Sequence, residues 1–305
     1  MEAVQKRPMS LSKREAIAGY LLIAPWIVGF IIFTLGPMLA SLLFSFTNYA
    51  IAKPMDFLGL NNFIELFFKD YRFWHSMRVT LTYAVAAIPI GLVLGLLLAL
   101  LLNTKVPFIA FWRTLYYTPS VVSGVAVAVL WSYLFNPRFG VINWILSLVN
   151  IQGPGWLSSP DWSLPALILM SLWGVGGGMI IYLAGLQGIP TTLYEAAEID
   201  GANRTQQFFS ITLPLITPVL FYNLVTGIIG TFQIFTSVYV MTSGGPAEST
   251  LFYNLYLYNN AFRYQRMGYA SALAWVLFVV VLVLTLLVFR TSAAWVYYEG
   301  ELRKK

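Results

Sequence analysis

Cysteine is absent from this chain, and histidine occurs once, as His75. Without thiols there can be no disulfide, thiolate metal centre or iron–sulfur cluster, and one imidazole cannot build a histidine metal site or a proton relay alone. Charge is also scarce: Asp, Glu, Lys and Arg make up 10% of residues, against roughly 25% in soluble domains. Nothing matches G-x-x-x-x-G-K-[ST], so the chain carries no P-loop of its own. The net charge of +6 comes without a basic stripe. Lys and Arg sit at the ends of apolar runs, which fits membrane topology and not nucleic-acid binding.

What fills the 305 residues is apolar: 59% hydrophobic and 16% aromatic. A bilayer core of about 30 Å needs roughly 20 apolar residues in a helix. Charge-free intervals of 37 residues (16–52), 26 (79–104), 24 (114–137), 33 (162–194), 43 (205–247) and 23 (267–289) predict six transmembrane helices. The interval 139–160 is also uncharged, but "NIQGPGWLSSP" is turn chemistry, so a short surface helix (141–149) and a loop are expected there. The first run is too long for a signal-peptide core and is interrupted by Pro25 and Pro37, so it reads as a retained span.

Lys and Arg in the short connections set the orientation. With the N-terminus inside, the cytoplasmic segments hold eleven: Lys6, Arg7, Lys13, Arg14, Lys105, Arg113, Arg204, Arg290, Arg303, Lys304 and Lys305. The opposite side holds six: Lys53, Lys69, Arg72, Arg138, Arg263 and Arg266. The expected layout is a cytoplasmic N-terminal segment (1–15), a six-span domain (16–290) with a cytoplasmic insert (191–213), and a cytoplasmic tail (291–305). None of the twelve acidic residues falls in a predicted span core, and neither does His75 or any Lys or Arg. Ion-coupled carriers usually place carboxylates or histidines there, so the chain reads as a pathway whose energy enters from another subunit.

The insert "YEAAEIDGANRTQQFFSITLP" is the most polar long stretch in the second half. Thr192 and Glu195 have capping-box spacing for a first helix, with Glu195 at its start, ending near Asp200. Gly201 supplies the left-handed residue that ends it. Asn203 and Gln206 can cap a second short helix bearing Phe208 and Phe209, before Pro214 begins the fifth span. Ala196 and Ala197 keep the first helix slim enough for a partner's backbone to approach.

This stretch resembles the E-A-A-x3-G-x9-I-x-L-P signature of permease subunits of bacterial binding-protein-dependent ABC importers, filled here by Glu195, Ala196, Ala197, Gly201, Ile211, Leu213 and Pro214. "FLGLNNFIELF", "LAGLQGIP", "FQIFTSVYVMTSGGP" and "YNLYLYNNAFRYQRMGYASA" resemble segments of the carbohydrate-uptake, maltose-permease-like subfamily, so the likeness covers roughly residues 55–290. Thr236 departs from it, standing where many relatives have Asp.

The resemblance implies an all-α type I importer permease fold in the bacterial inner membrane, with both termini cytoplasmic. It implies a coupling helix, formed by Glu195, Ala196, Ala197, Asp200, Gly201, Arg204, Phe208 and Pro214, that docks on an ATPase subunit. The implied partners are a second permease in a heterodimer, two ATPase subunits that bind ATP and Mg, an extracytoplasmic solute-binding protein, and lipid. No catalytic residue, metal or cofactor belongs to this chain, and no nucleic acid is expected. Trp173, Gly174, Gly177, Asn223, Gly230, Thr231 and Gln233 give spans four and five a polar and glycine-rich character. That pattern suits close helix packing or a translocation surface, on which Trp173 stacks against a sugar and Thr231 and Gln233 bond its hydroxyls. A neutral saccharide leads as solute because no basic residue lies mid-span; a glycerol-phosphate-type solute and an ion-coupled secondary carrier are the alternatives. Asp161 and Trp162 are expected to cap and anchor span four, and Gly244-Gly245-Pro246 to form an outer turn.

Overall fold

The computed structural model describes residues 10–51, 54–104 and 106–297. Lys6, Arg7, Lys53, Lys105, Arg303, Lys304 and Lys305, used above for orientation, lie outside the described residues, as do the outer parts of the expected N-terminal segment and tail. In chain order the helices are α1 (Leu11–Phe30), α2 (Gly36–Phe44), α3 (Asn61–Phe68), α4 (Tyr71–Leu102), α5 (Ile109–Val121), α6 (Gly124–Leu134), α7 (Val141–Leu148), α8 (Pro160–Leu172), α9 (Gly176–Gln187), α10 (Thr191–Ile199), α11 (Arg204–Gln207), α12 (Leu213–Phe232), α13 (Thr236–Met241), α14 (Tyr253–Tyr258) and α15 (Met267–Ser292). Among the described residues no strand forms; Thr47 and Phe57 make an isolated bridge.

Four helical stretches are long and apolar enough to cross a bilayer: Leu11–Phe44, Tyr71–Leu102, Arg204–Met241 and Met267–Ser292. The predicted third and fourth spans are each broken. α5 and α6 meet at 98°, and α8 and α9 at 43°, so a count of six requires taking each bent pair as one crossing. Charge-free intervals register composition and cannot register such breaks. Pro119 lacks the N–H that would continue the hydrogen-bond ladder of α5, and Val122 and Ser123 then turn extended. The helix expected at 141–149 appears as α7, ending at Leu148.

The chain divides into two compact units. One comprises Met1–Ile64 with Asn260–Trp275. Here Phe46 and Leu58 pair, as do Asn48 and Asp56, and buried Asn62 donates both amide hydrogens to the carbonyls of Ser45 and Thr47, each at 2.8 Å. That gives "FLGLNNF" a structural reason. A side chain at Gly268 would collide with the Thr47 carbonyl, so backbone meets backbone there.

The other unit, Glu65–Asn259 with Val276–Lys305, holds the site. Asp70 caps α4, its carboxylate accepting from the amides of Arg72 and Phe73. α4, α9 and α12 pack through Leu96, Ala99, Met179, Tyr182, Leu183, Leu186 and Ile216. Gly95 lies against the Tyr182 ring and Gly185 against Val219, so small residues bring these helices close. The turn between α13 and α14 is tied to the start of α4: Arg72 Nε lies 2.8 Å from Glu248, and His75 Nε2 lies 2.9 Å from the Glu248 carbonyl. The lone histidine is accounted for by this contact. The Tyr256 hydroxyl donates to Asp70 at 2.6 Å, and burial pushes the neighbouring Tyr253 hydroxyl well above the ordinary tyrosine range, with Tyr256 and Asp70 adding to the shift.

Candidate functional site

The insert is built as two helices about a sharp corner. Its first helix, α10, begins after Pro190, which holds the N-cap position in an extended conformation with no side-chain cap bond. The expected Thr192–Glu195 capping box is therefore not formed. Thr191 already opens the helix, Thr192 lies within its first turn, and Glu195 sits at mid-helix, exposed, and not at the start. Proline favours this place because its fixed φ suits a helix entrance and its missing N–H costs nothing there.

The corner agrees closely with the sequence reading. Gly201 has φ +80°, its amide bonds the Glu198 carbonyl at 3.0 Å, and the Ala202 amide bonds the Ala197 carbonyl at 2.9 Å. These two bonds are the paired closures of a Schellman motif. Asn203 then accepts from the Gln206 amide at 2.9 Å while the Gln206 side chain accepts from the Asn203 amide at 2.7 Å, a complete capping box. The second helix differs from expectation. α11 runs through a π-helical turn, Phe208–Thr212, directly into α12, so it is the first part of a longer rod and not a separate short element. Pro214 sits within that rod's first α-helical turn after the widened π turn. Tyr194 and Thr212 share a hydrogen bond of 2.9 Å that pins α10 to the rod.

Glu195, Glu198, Asp200 and Arg204 are all exposed, and none forms an ion pair among the described residues. Ile199 and Phe209 are exposed apolar side chains, and Phe208, half-buried, meets Phe209 edge-to-face at 5.0 Å. Ala196 is exposed and Ala197 half-buried. The product is a compact, polar-and-apolar projection whose charges have no partner within it.

A cavity of about 470 Å³ lies between α4, the α8–α9 break and α12. Tyr83, Ala87 and Gly91 line it from α4; Ser171, Gly174, Gly178 and Tyr182 from α8–α9; Asn223, Gly227, Gly230 and Thr231 from α12 and its end. Ile88, Leu92, Leu172, Val175 and Ile234 complete the wall, and among the described residues no charged side chain lines it. The Asn223 amide donates to the Val219 carbonyl at 3.0 Å, and the buried Tyr182 hydroxyl has no hydrogen-bond partner among the described residues.

Of the sequence-proposed pathway residues, Gly174, Asn223, Gly230 and Thr231 come together here. Three do not. Trp173 lines a separate apolar cleft of about 590 Å³ with Tyr116, Pro119 and Val122, and packs edge-to-face on Trp131 at 6.2 Å. Gly177 lies against Ser120, in helix packing. Gln233 ends α12 and offers its backbone carbonyl to Asn254 at 3.1 Å. The sequence reading missed Tyr83, Gly91, Ser171 and Tyr182. Tyr83, Ala87 and Gly91 recur every four residues, a small-and-polar stripe that marks one helix face, so the signal was present in span two. Asp161 lies in the first turn of α8, with Ser159 at the N-cap, so it does not cap that helix.

Bilayer-length helices, an uncharged cavity with polar groups set among aliphatic ones, and an exposed two-helix insert define a membrane transport subunit. The chain belongs to the family described as "Binding-protein-dependent transport system inner membrane component", which matches residues 67–296. It is thus a multi-pass inner-membrane permease component of an ABC importer, in which ATP hydrolysis is carried out by a separate ATPase subunit. It is 46% identical to Bacillus subtilis "Probable ABC transporter permease protein YesP" over 95% of this chain and 94% of that one. It is 36% identical to the Rhizobium radiobacter "Lactose transport system permease protein LacF", covering 92% and 95%. Among solved structures, a bacterial alginate ABC transporter in complex with a pentasaccharide-bound periplasmic protein contains a chain with TM-score 0.81 and 29% identity, covering 92% of this chain and 95% of that one.

Proposed function

We propose that the chain carries a neutral saccharide, and that the uncharged cavity between α4, α8–α9 and α12 is its part of the route. The observation that supports this most is the wall itself: hydroxyl, amide and glycine groups set among aliphatic side chains such as Ile88, Leu92 and Ile234, without a cation or carboxylate among the described residues. A glycerol-phosphate-type solute would bring a charge into a wall that offers it no counter-ion, which is costly away from water. A secondary carrier lacks the intramembrane ionisable group it would need. Relatives named for lactose and for trehalose/maltose transport support the saccharide class, and the choice of a neutral one rests on the cavity wall.

In this reading residues 16–290 form a six-span domain, with the N-terminal segment 1–15, the insert 191–213 and the tail 291–305 cytoplasmic. A second permease completes a heterodimeric pore, two ATPases bind ATP and Mg, and an extracytoplasmic binding protein delivers the solute. The insert (Glu195, Ala196, Ala197, Asp200, Gly201, Arg204, Phe208 and Pro214) docks on one ATPase. ATPase closure moves it, and the rod continuous from α11 through α12 carries that movement to Asn223, Gly230 and Thr231. Trp173, Gly177 and Gln233 support the route as packing and end-of-helix residues.

The test is ATP-dependent uptake by the reconstituted transporter with its binding protein, assayed with neutral oligosaccharides and with glycerol phosphate. Uptake of the former alone is expected; uptake of the phosphate alone would overturn the substrate reading. Asn223→Ala and Thr231→Val should lower uptake while leaving assembly with the ATPase intact.

A further inference from the structure

α7 is eight residues long and about 12 Å from end to end at 1.5 Å per residue. It is too short to cross a bilayer, yet one side of it and of the adjoining turn is apolar and open. Val141, Trp144, Ile145 and Leu148 recur at helical spacing on one face, and Val149 and Ile151 extend the patch; Trp144 is 61% exposed and Leu148 65%. The remainder is held firmly. Asn143 donates to the Pro137 and Pro154 carbonyls at 3.3 and 3.2 Å and accepts from Trp156 Nε1 at 2.6 Å. The helix is therefore locked in place with its apolar stripe uncovered, and not merely loose.

We infer that α7 is a membrane-surface helix, and that its stripe seats in the headgroup–acyl boundary of the lipid bilayer. Three observations favour lipid over a protein partner. The patch continues one already expected to meet lipid, since α6 exposes Leu130 and Tyr133 and the connection exposes Phe139. Trp144 lies at its centre, and indole is the side chain most at home at that depth, with an apolar body and one polar edge. Between Arg113 and Asp161 the sole charged residue is Arg138, exposed just ahead of the helix, where it complements headgroup phosphate. Placing the helix on the outer leaflet rests on the topology proposed above; its seating in lipid does not.

The experiment uses the natural absence of cysteine. Trp144→Cys, Leu148→Cys and, in the adjoining loop, Gln152→Cys are labelled with an environment-sensitive fluorophore in the complete transporter. The vesicles are phosphatidylethanolamine–phosphatidylglycerol with nitroxide lipids spin-labelled at shallow or deep acyl positions. Labels at 144 and 148 should emit blue-shifted, lose most of their emission to the shallow nitroxide, lose less to the deep one, and resist aqueous iodide. The label at 152 should respond to iodide. Iodide quenching at 144 and 148 would overturn the inference in favour of open water; protection from both iodide and nitroxides would overturn it in favour of a protein partner. Separately, an impermeant thiol reagent reports the side of position 152. An inward-facing 152 would remove the topology while leaving the lipid result standing.

Discussion

Gly201 and Asn203 do different physical work two residues apart. Beyond its two chain neighbours, no atom of the described residues lies within 4 Å of a Cβ added at Gly201, so its requirement comes from φ +80° and not from crowding. A side chain there is penalised by backbone sterics, on the order of 1–3 kcal/mol, most for a β-branched residue and least for asparagine. Hydrogen exchange at the Ala202 amide should therefore quicken in the order Gly201→Asn, Gly201→Ala, Gly201→Val; equal rates would remove the strain argument. Asn203→Ala deletes the side-chain acceptor of the capping box and should cost about 1 kcal/mol locally. It should speed exchange at Gln206 without changing the amount of transporter assembled. Glu195 is exposed and forms no ion pair among the described residues, so its replacement is expected to leave the fold alone and to act where a partner covers it.

Among the elements, the rod formed by α11, the π turn and α12 matters most for transmission. If the insert docks as proposed, removing the Glu195 carboxylate strips one side of a desolvated charge pair, a loss of about 2–5 kcal/mol. Glu195→Ala should weaken ATPase association and lower binding-protein-stimulated hydrolysis, with membrane insertion unchanged, as co-purification and ATPase assays would report. Normal association and transport would reduce the insert to a connector. The α5–α9 crossing is a second such element. A Cβ at Gly176 would run into the Tyr116 carbonyl, and backbone cannot yield as a side-chain tip can. Gly176→Val is expected to separate α5 from α9 and lower the yield of intact transporter on size exclusion, whereas Gly177→Ala, facing Ser120 at an ordinary 3.4 Å, should be tolerated.

For the whole molecule, the proposed topology and the absence of an engine can each be tested. Single cysteines at 106 and 205 should be protected from an impermeant thiol reagent in intact cells, and those at 54, 153 and 247 should react. External labelling at 205 would contradict both the topology and ATPase docking. Reconstituted without ATPases under an imposed proton gradient, the chain should accumulate no sugar; concentrative uptake there would favour the secondary carrier.

Much of this protein was legible along the chain because the causes are local. A membrane-sized helix declares itself by composition, and the Gly201 corner and the Asn203–Gln206 box close within a few residues of themselves. The Thr192–Glu195 box shows the limit of such reading: the spacing pointed to Thr192, whereas Pro190, whose fixed φ suits helix entry, holds the N-cap. Interruptions inside apolar runs were hidden, since the 98° bend after α5 and the 43° bend before α9 leave composition untouched. The cavity was half hidden for a related reason. Asn223, Gly230 and Thr231 stand out as polar or small in an apolar helix, but only packing brings Tyr83 and Gly91 of α4 opposite them. The same packing turns Trp173 toward Trp131. Local hydrogen bonding and hydrophobicity are written residue by residue, whereas which faces meet depends on helix approach distances that only the assembled tertiary structure sets.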